Sequence, residues 1–128
     1  MQNIPRALQD QIMQLQQLQQ RLEILMSQKN QLEIQLKETE KAISELQNLG
    51  EDATIYKSVG AILVKSDRNK VKEELEDKKD TLEMRIKTIQ RQEERTRKQF
   101  EESREKVQSA LQRPSTGGPT DFGNLGPM

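Results

Sequence analysis

The sequence predicts a mainly α fold, in which two long helices fold back on each other as an antiparallel coiled coil joined by a single β-hairpin. Three observations predict it. All four prolines, Pro5, Pro114, Pro119 and Pro127, lie near the ends, so no proline interrupts the stretch between Pro5 and Pro114. Apolar residues recur at heptad spacing over two stretches of similar length. Between them lies IYKSVGAILVK, Ile55 to Lys65, which is β-branched and split by a glycine.

The first helix is expected over 5–48. Pro5 suits a first helical turn, where its missing N–H is not needed. One seam row holds Leu8, Leu15, Leu22, Lys29, Leu36 and Ile43. The other holds Gln11, Leu18, Leu25, Leu32, Thr39 and Leu46, so nine of the twelve seam positions are apolar. Asn48-Leu49-Gly50-Glu51-Asp52 stops this helix, with Gly50 the expected C-terminal cap. Ser66 and Asp67 offer N-caps for a second helix over 67–112. Its rows are Leu75, Leu82, Ile89, Thr96, Ser103, Ala110 and Lys79, Ile86, Glu93, Phe100, Val107, apolar at seven of eleven. Acids and bases interleave through KEELEDKKDTLEMRIK, the pattern of a solvated helix supported by i,i+4 pairing.

Each helix is about 44 residues, or about 66 Å at the standard rise. Folding back on each other buries both seams and brings both termini to one end. Phe100 then lies across from Leu15 and Leu18, and Val107 near Leu8. The alternative, a long parallel dimer interrupted by a loop, sits poorly with Gly50, Gly60 and the strand-like insert.

Composition narrows the function. The chain has 128 residues, enough for one domain at most, with 21 basic and 21 acidic residues. Zero net charge argues against nucleic acid, which needs a basic excess. Tyr56, Phe100 and Phe122 are the only aromatics, so an enclosed substrate cavity is hard to build and no enzyme is expected. With neither cysteine nor histidine, disulfides, thiolate chemistry, zinc sites and imidazole catalysis are excluded, and no cofactor is expected. No apolar run reaches the roughly 18–20 residues of a membrane span, and MQNIPRALQDQ lacks the apolar centre of a signal peptide. The expectation is a soluble cytoplasmic chain with no membrane partner.

The central stretch fits a hairpin over 54–66. Gly60-Ala61 can be the central pair of a type II′ turn, which wants Gly first. Val59 then faces Ile62, Lys57 faces Val64 and Tyr56 faces Lys65. One face carries Ile55, Val59, Ile62 and Val64; the other carries Tyr56, Ser58 and Leu63. Neither face is cleanly polar. A lone two-stranded hairpin is marginal in water and has open edges. Hairpins from several chains could instead close into a barrel or sandwich that holds the coiled coils as projecting arms. A mere helix-to-helix connector would need only a few polar residues.

These residues resemble a known family. Two long helices flanking YKSVGAILVK, with Glu51-Asp52 before it and Ser66-Asp67 after it, are similar to the β-type subunit of prefoldin. Most specific are Tyr56-Lys57, the Val59-Gly60 turn entry and Ile62-Leu63-Val64-Lys65; RIKTIQRQEER looks like the archaeal members. The resemblance covers nearly all of 4–112, and a single hairpin points to the β type. It implies a single prefoldin-like domain over 1–112 in a hexamer of two α-type and four β-type subunits, whose hairpins form a β-barrel platform. It also implies that the coiled-coil ends capture non-native polypeptides and pass them to a group II chaperonin without using ATP. The chain has no phosphate-binding glycine motif either.

Candidate site residues follow. For assembly they are Ile55, Tyr56, Val59, Gly60, Ile62, Leu63 and Val64. For client contact they are Ile4, Leu8, Ile12, Met13, Phe100, Val107 and Leu111 at the helix ends, because one narrow seam cannot hold them all. Leu8, Leu15 and Val107 also fit the seam. Ile12 and Met13 fall outside the main register, and Met adapts to varied partners. The polar seam from Glu93 to Ser103 would let the helix ends part. Residues 113–128, rich in Gly and Pro, are expected to be a disordered tail, with Phe122 and Leu125 a possible docking motif. The rival reading is a structural or tethering coiled coil, for which a sheet-forming insert has no use.

Overall fold

A computed structural model describes residues 4–112. The tail expected over 113–128, with Phe122 and Leu125, lies outside the described residues. The element order is α1 (Arg6–Gln47), β1 (Ile55–Val59), β2 (Ile62–Ser66) and α2 (Arg68–Gln112). The chain divides into two compact units, one holding Ile24–Glu93 and the other the residues on either side of that span.

Both helices are built from strong helix formers, chiefly Leu, Gln, Glu, Lys and Arg, so propensity and heptad pattern agree. All twelve seam positions of α1 and all eleven of α2 are buried or half-buried. This is the antiparallel two-helix coiled coil that the spacing predicts. In the Ile24–Glu93 unit the apolar centre is Leu32, Leu82 and Ile86, with Leu36 and Ile89 packed against it. Stepping along both rows from this centre sets Lys29 level with Ile89 and Leu25 level with Glu93. Lys79, the third charged seam residue, falls level with Thr39 and pairs with Glu40 at 3.8 Å, whereas Lys29 and Glu93 each face an apolar residue. The two charges meet on the diagonal, Lys29 Nζ donating to Glu93 Oε1 at 2.7 Å. Thr39, another buried polar seam residue, returns its hydroxyl to the Gln35 carbonyl one turn back, at 2.8 Å.

The helix ends show how the chain reverses. The Pro5 carbonyl accepts from Gln9 N at 3.0 Å, so Pro5 stands just ahead of the first turn. Asp67 caps α2: its Oδ1 accepts from Lys70 N at 2.8 Å. Gly50 does not cap α1 as the sequence suggests, because Gly60 alone among the described glycines adopts a positive φ. The last turn tightens instead, Asn48 N donating to Glu45 O and Leu49 N to Leu46 O. Arg68 Nε, from the start of α2, also donates to Leu46 O at 2.8 Å. A cation from the neighbouring helix thus does for α1 what a left-handed glycine would have done.

β1 and β2 pair antiparallel, Val59 with Ile62, Lys57 with Val64 and Tyr56 with Lys65. Gly60 has φ of 58°, as the first central position of a type II′ turn requires. Ile55 is buried, and Lys57 on β1 pairs with Glu74 on α2 at 2.8 Å. Ile55 and Lys57 tie the first strand to the rest of its own chain.

Two predictions follow from the seam. Leu82→Ala empties a side chain only 3% exposed and should cost about 2–4 kcal/mol. Met84→Ala, at 70% exposure, should stay within about 0.5 kcal/mol of wild type. Urea unfolding at one protein concentration checks that contrast. Glu93→Leu leaves Lys29 against an apolar layer. It should cost about 1–3 kcal/mol, less than a fully buried pair because the Lys29 side chain is 25% exposed. Adding Lys29→Leu should recover most of that loss in a thermal-denaturation double-mutant cycle.

Candidate functional site

Two places on the described surface carry exposed apolar side chains among the candidate residues. The first is the hairpin. Five-residue strands with alternating side chains can hide one face only if something covers it. Here Tyr56, Val59, Ile62, Leu63 and Val64 are all exposed, Leu63 at 71%. They occupy both faces, since Val59, Ile62 and Val64 share one and Tyr56 and Leu63 the other. Gly60 at the turn has open space around it. Ile55, which the sequence reading adds to this set, is buried within its own chain and has little surface left for a partner. Both strands have an unpaired edge, because the sheet has only these two strands among the described residues.

The second place is the unit formed by the helix ends. Gln11 lines a groove with Lys106 and Ala110, and Leu18 lines one with Gln99 and Ser103. The two helices therefore run alongside each other in this unit. Of the seven candidate contact residues, Ile4, Met13 and Leu111 are exposed, Met13 at 58%. Leu8, Ile12 and Phe100 are half-buried. Val107 is 6% exposed and belongs to the seam, so it offers no contact surface while the helices are paired. Ile12 lies beside the seam position Gln11 and is partly covered, so it does not face solvent as Met13 does.

Sequence reasoning passed over several exposed apolar residues. Ile24, Met26, Ile34, Leu49 and Met84 are all exposed and all lie outside the seam rows. The register itself carried that signal. It passed over the Lys29–Glu93 pair too, since it scored each row alone and counted both charges as interruptions. Among the described residues no group of three or more acids is placed to hold a metal ion. No helix there is long and apolar enough to cross a membrane.

Two long helices paired as a coiled coil and carrying one hairpin with exposed apolar side chains define a class of helical-hairpin protein. Comparison with known proteins identifies the class. The sequence model of the prefoldin subunit family matches residues 9–113. The prefoldin subunit beta of Thermococcus kodakarensis is 38% identical over 117 residues, covering 91% of this chain and 100% of the relative. That of Pyrococcus furiosus is 39% identical over the same span and coverage. The crystal structure of the prefoldin beta subunit from Thermococcus strain KS-1 superposes with a TM-score of 0.81 at 38% identity. The match covers 89% of this chain and 100% of that one. The chain belongs to the prefoldin subunit family and is of the β type.

The hairpin surface yields a prediction about association. Leu63→Asp puts a carboxylate at the most exposed apolar position without touching the seam. It should abolish higher-order assembly, read by native mass spectrometry, and leave the helical circular-dichroism signal unchanged. The turn-distal control Lys65→Gln should assemble as wild type.

Proposed function

We infer that this chain is an ATP-independent co-chaperone subunit of the cytoplasm. Its hairpin closes with those of other subunits into a β-barrel platform, in a hexamer of two α-type and four β-type chains. The ends of its coiled coil hold non-native polypeptides, which pass to a group II chaperonin. The observation that carries the reading is the hairpin. Its five exposed apolar side chains and two open edges are a poor end state for a monomer in water. Membership of the prefoldin family supports the co-chaperone role and the α-type partner.

The unit at the helix ends suits the capturing role. Ile4, Met13 and Leu111 are solvent-facing apolar side chains, and none is needed to fill the seam. Each offers a small contact, so affinity arises from several chains acting on one client. Such binding is readily reversible, as transfer to a second chaperone demands. A structural tether is the second reading. It predicts assembly without any effect on client aggregation.

The test uses the chain co-assembled with its α-type partner. Native mass spectrometry should give a hexamer with four copies of this chain. The hexamer should suppress aggregation of a chemically denatured test protein on dilution. Met13→Ser combined with Leu111→Ser should weaken suppression by about threefold to tenfold while leaving the hexamer intact, since burying one such side chain contributes about 1–2 kcal/mol at most. A hexamer with no holding activity would favour the tether.

A further inference from the structure

The glutamines of α1 form a feature that the apolar contacts leave unexplained. QDQIMQLQQLQQ, Gln9–Gln20, holds seven glutamines in twelve residues and a single charge, Asp10. The α2 segment of the same unit is quite different, with nine charged residues between Glu94 and Lys106. Helix propensity does not require this contrast, since Glu, Lys and Gln are nearly equivalent helix formers. Solubility does not require it either, because charge serves that end better than amide.

The geometry concentrates the amides around one apolar side chain. Met13 is exposed, and its neighbours on the helix surface three and four residues away are Gln9, Asp10, Gln16 and Gln17. Gln20 continues the same face a further turn on, and Gln9, Gln16, Gln17 and Gln20 are all exposed. Gln9 Nε2 donates to the Ile4 carbonyl at 3.1 Å. Among the described residues nothing hydrogen-bonds to the side chains of Gln16, Gln17 or Gln20. A primary amide carries one carbonyl acceptor and an N–H donor, the same pair that a peptide group carries. An uncharged donor–acceptor face is complementary to a chain of neutral peptide groups and indifferent to the sign of any side chain.

We propose that the outer face of α1 around Met13 binds the main chain of an extended, unfolded polypeptide, with Gln16, Gln17 and Gln20 hydrogen-bonding its peptide groups and Met13 seating one apolar side chain. This rests on the capture reading above and names what is recognised: exposed backbone, which an unfolded chain presents along its length and a folded one has largely paired. Selectivity for non-native protein then needs no sequence motif in the client.

The test uses the co-assembled hexamer and two short fluorescent peptides. One is uncharged and leucine-containing; the other is the same sequence N-methylated at alternate residues, which removes backbone donors and keeps the side chains. Wild type should bind the unmodified peptide about threefold to tenfold more tightly. The variant Gln16→Ala, Gln17→Ala, Gln20→Ala, which keeps the helix because alanine is the strongest helix former, should bind the two alike. Salt should leave the wild-type affinity unchanged. Equal wild-type affinity for both peptides, or an undiminished preference in the triple variant, overturns backbone recognition and leaves capture standing. Binding of neither peptide, in a hexamer that also fails to suppress aggregation, overturns both.

Discussion

Two helices share only one seam, and that constraint governs the rest of this molecule. On the helices, residues outside the a and d rows keep contact with solvent, and no side chain is fully buried among the described residues. Stability has to come from a long line of modest contacts. Polar interruptions along that line need a partner, found within the helix by Thr39 and across the seam by Lys29 and Glu93. Lys29 and Glu93 show the answer: two charges that would each weaken a layer reach diagonally to one another at 2.7 Å. Such a pair adds little net stability against an apolar alternative. In this alignment of the helices both charges are satisfied.

The same constraint explains the hairpin. A helix pair has no broad face on which to lay a sheet, so the strands are held at their base and left open beyond it. Buried Ile55, the Lys57–Glu74 pair and the Arg68 bond to the Leu46 carbonyl all act at the helix-proximal part of the turn region. The apolar side chains from Val59 to Val64 flank the turn itself. Anchoring at one end and exposure at the other suit an element whose remaining partners come from other subunits, as the assembly proposed above requires.

Surface chemistry divides along similar lines. Acids and bases interleave along α2, 13 basic against 11 acidic, and keep that helix solvated with little net charge. The amide-rich start of α1 carries almost no charge at all. Under the capture proposed above, a contact surface without a sign avoids the like-charge repulsion that would exclude some polypeptides.

Much of this was legible in the sequence. Heptad spacing identified every seam position from Leu8 to Leu46 and from Leu75 to Ala110. Alternation about Gly60 gave the strand register, because a two-residue turn leaves no freedom in which residues face each other. The motif around Tyr56-Lys57 and Ile62 to Lys65 pointed to the family. What the sequence could not decide depended on which side chains meet across the chain. Gly50 looks like a cap, yet Arg68 fills that role, 22 residues beyond the Leu46 carbonyl it bonds. Ile55 belongs by alternation to the exposed strand face, yet it packs against its own chain. Val107 and Met13 are both apolar residues near the helix ends, and only the pairing of the helices buries one and leaves the other in water. Periodicity along one chain fixes direction on a helix or strand, whereas burial is a property of the neighbour that arrives, and only tertiary structure supplies the neighbour.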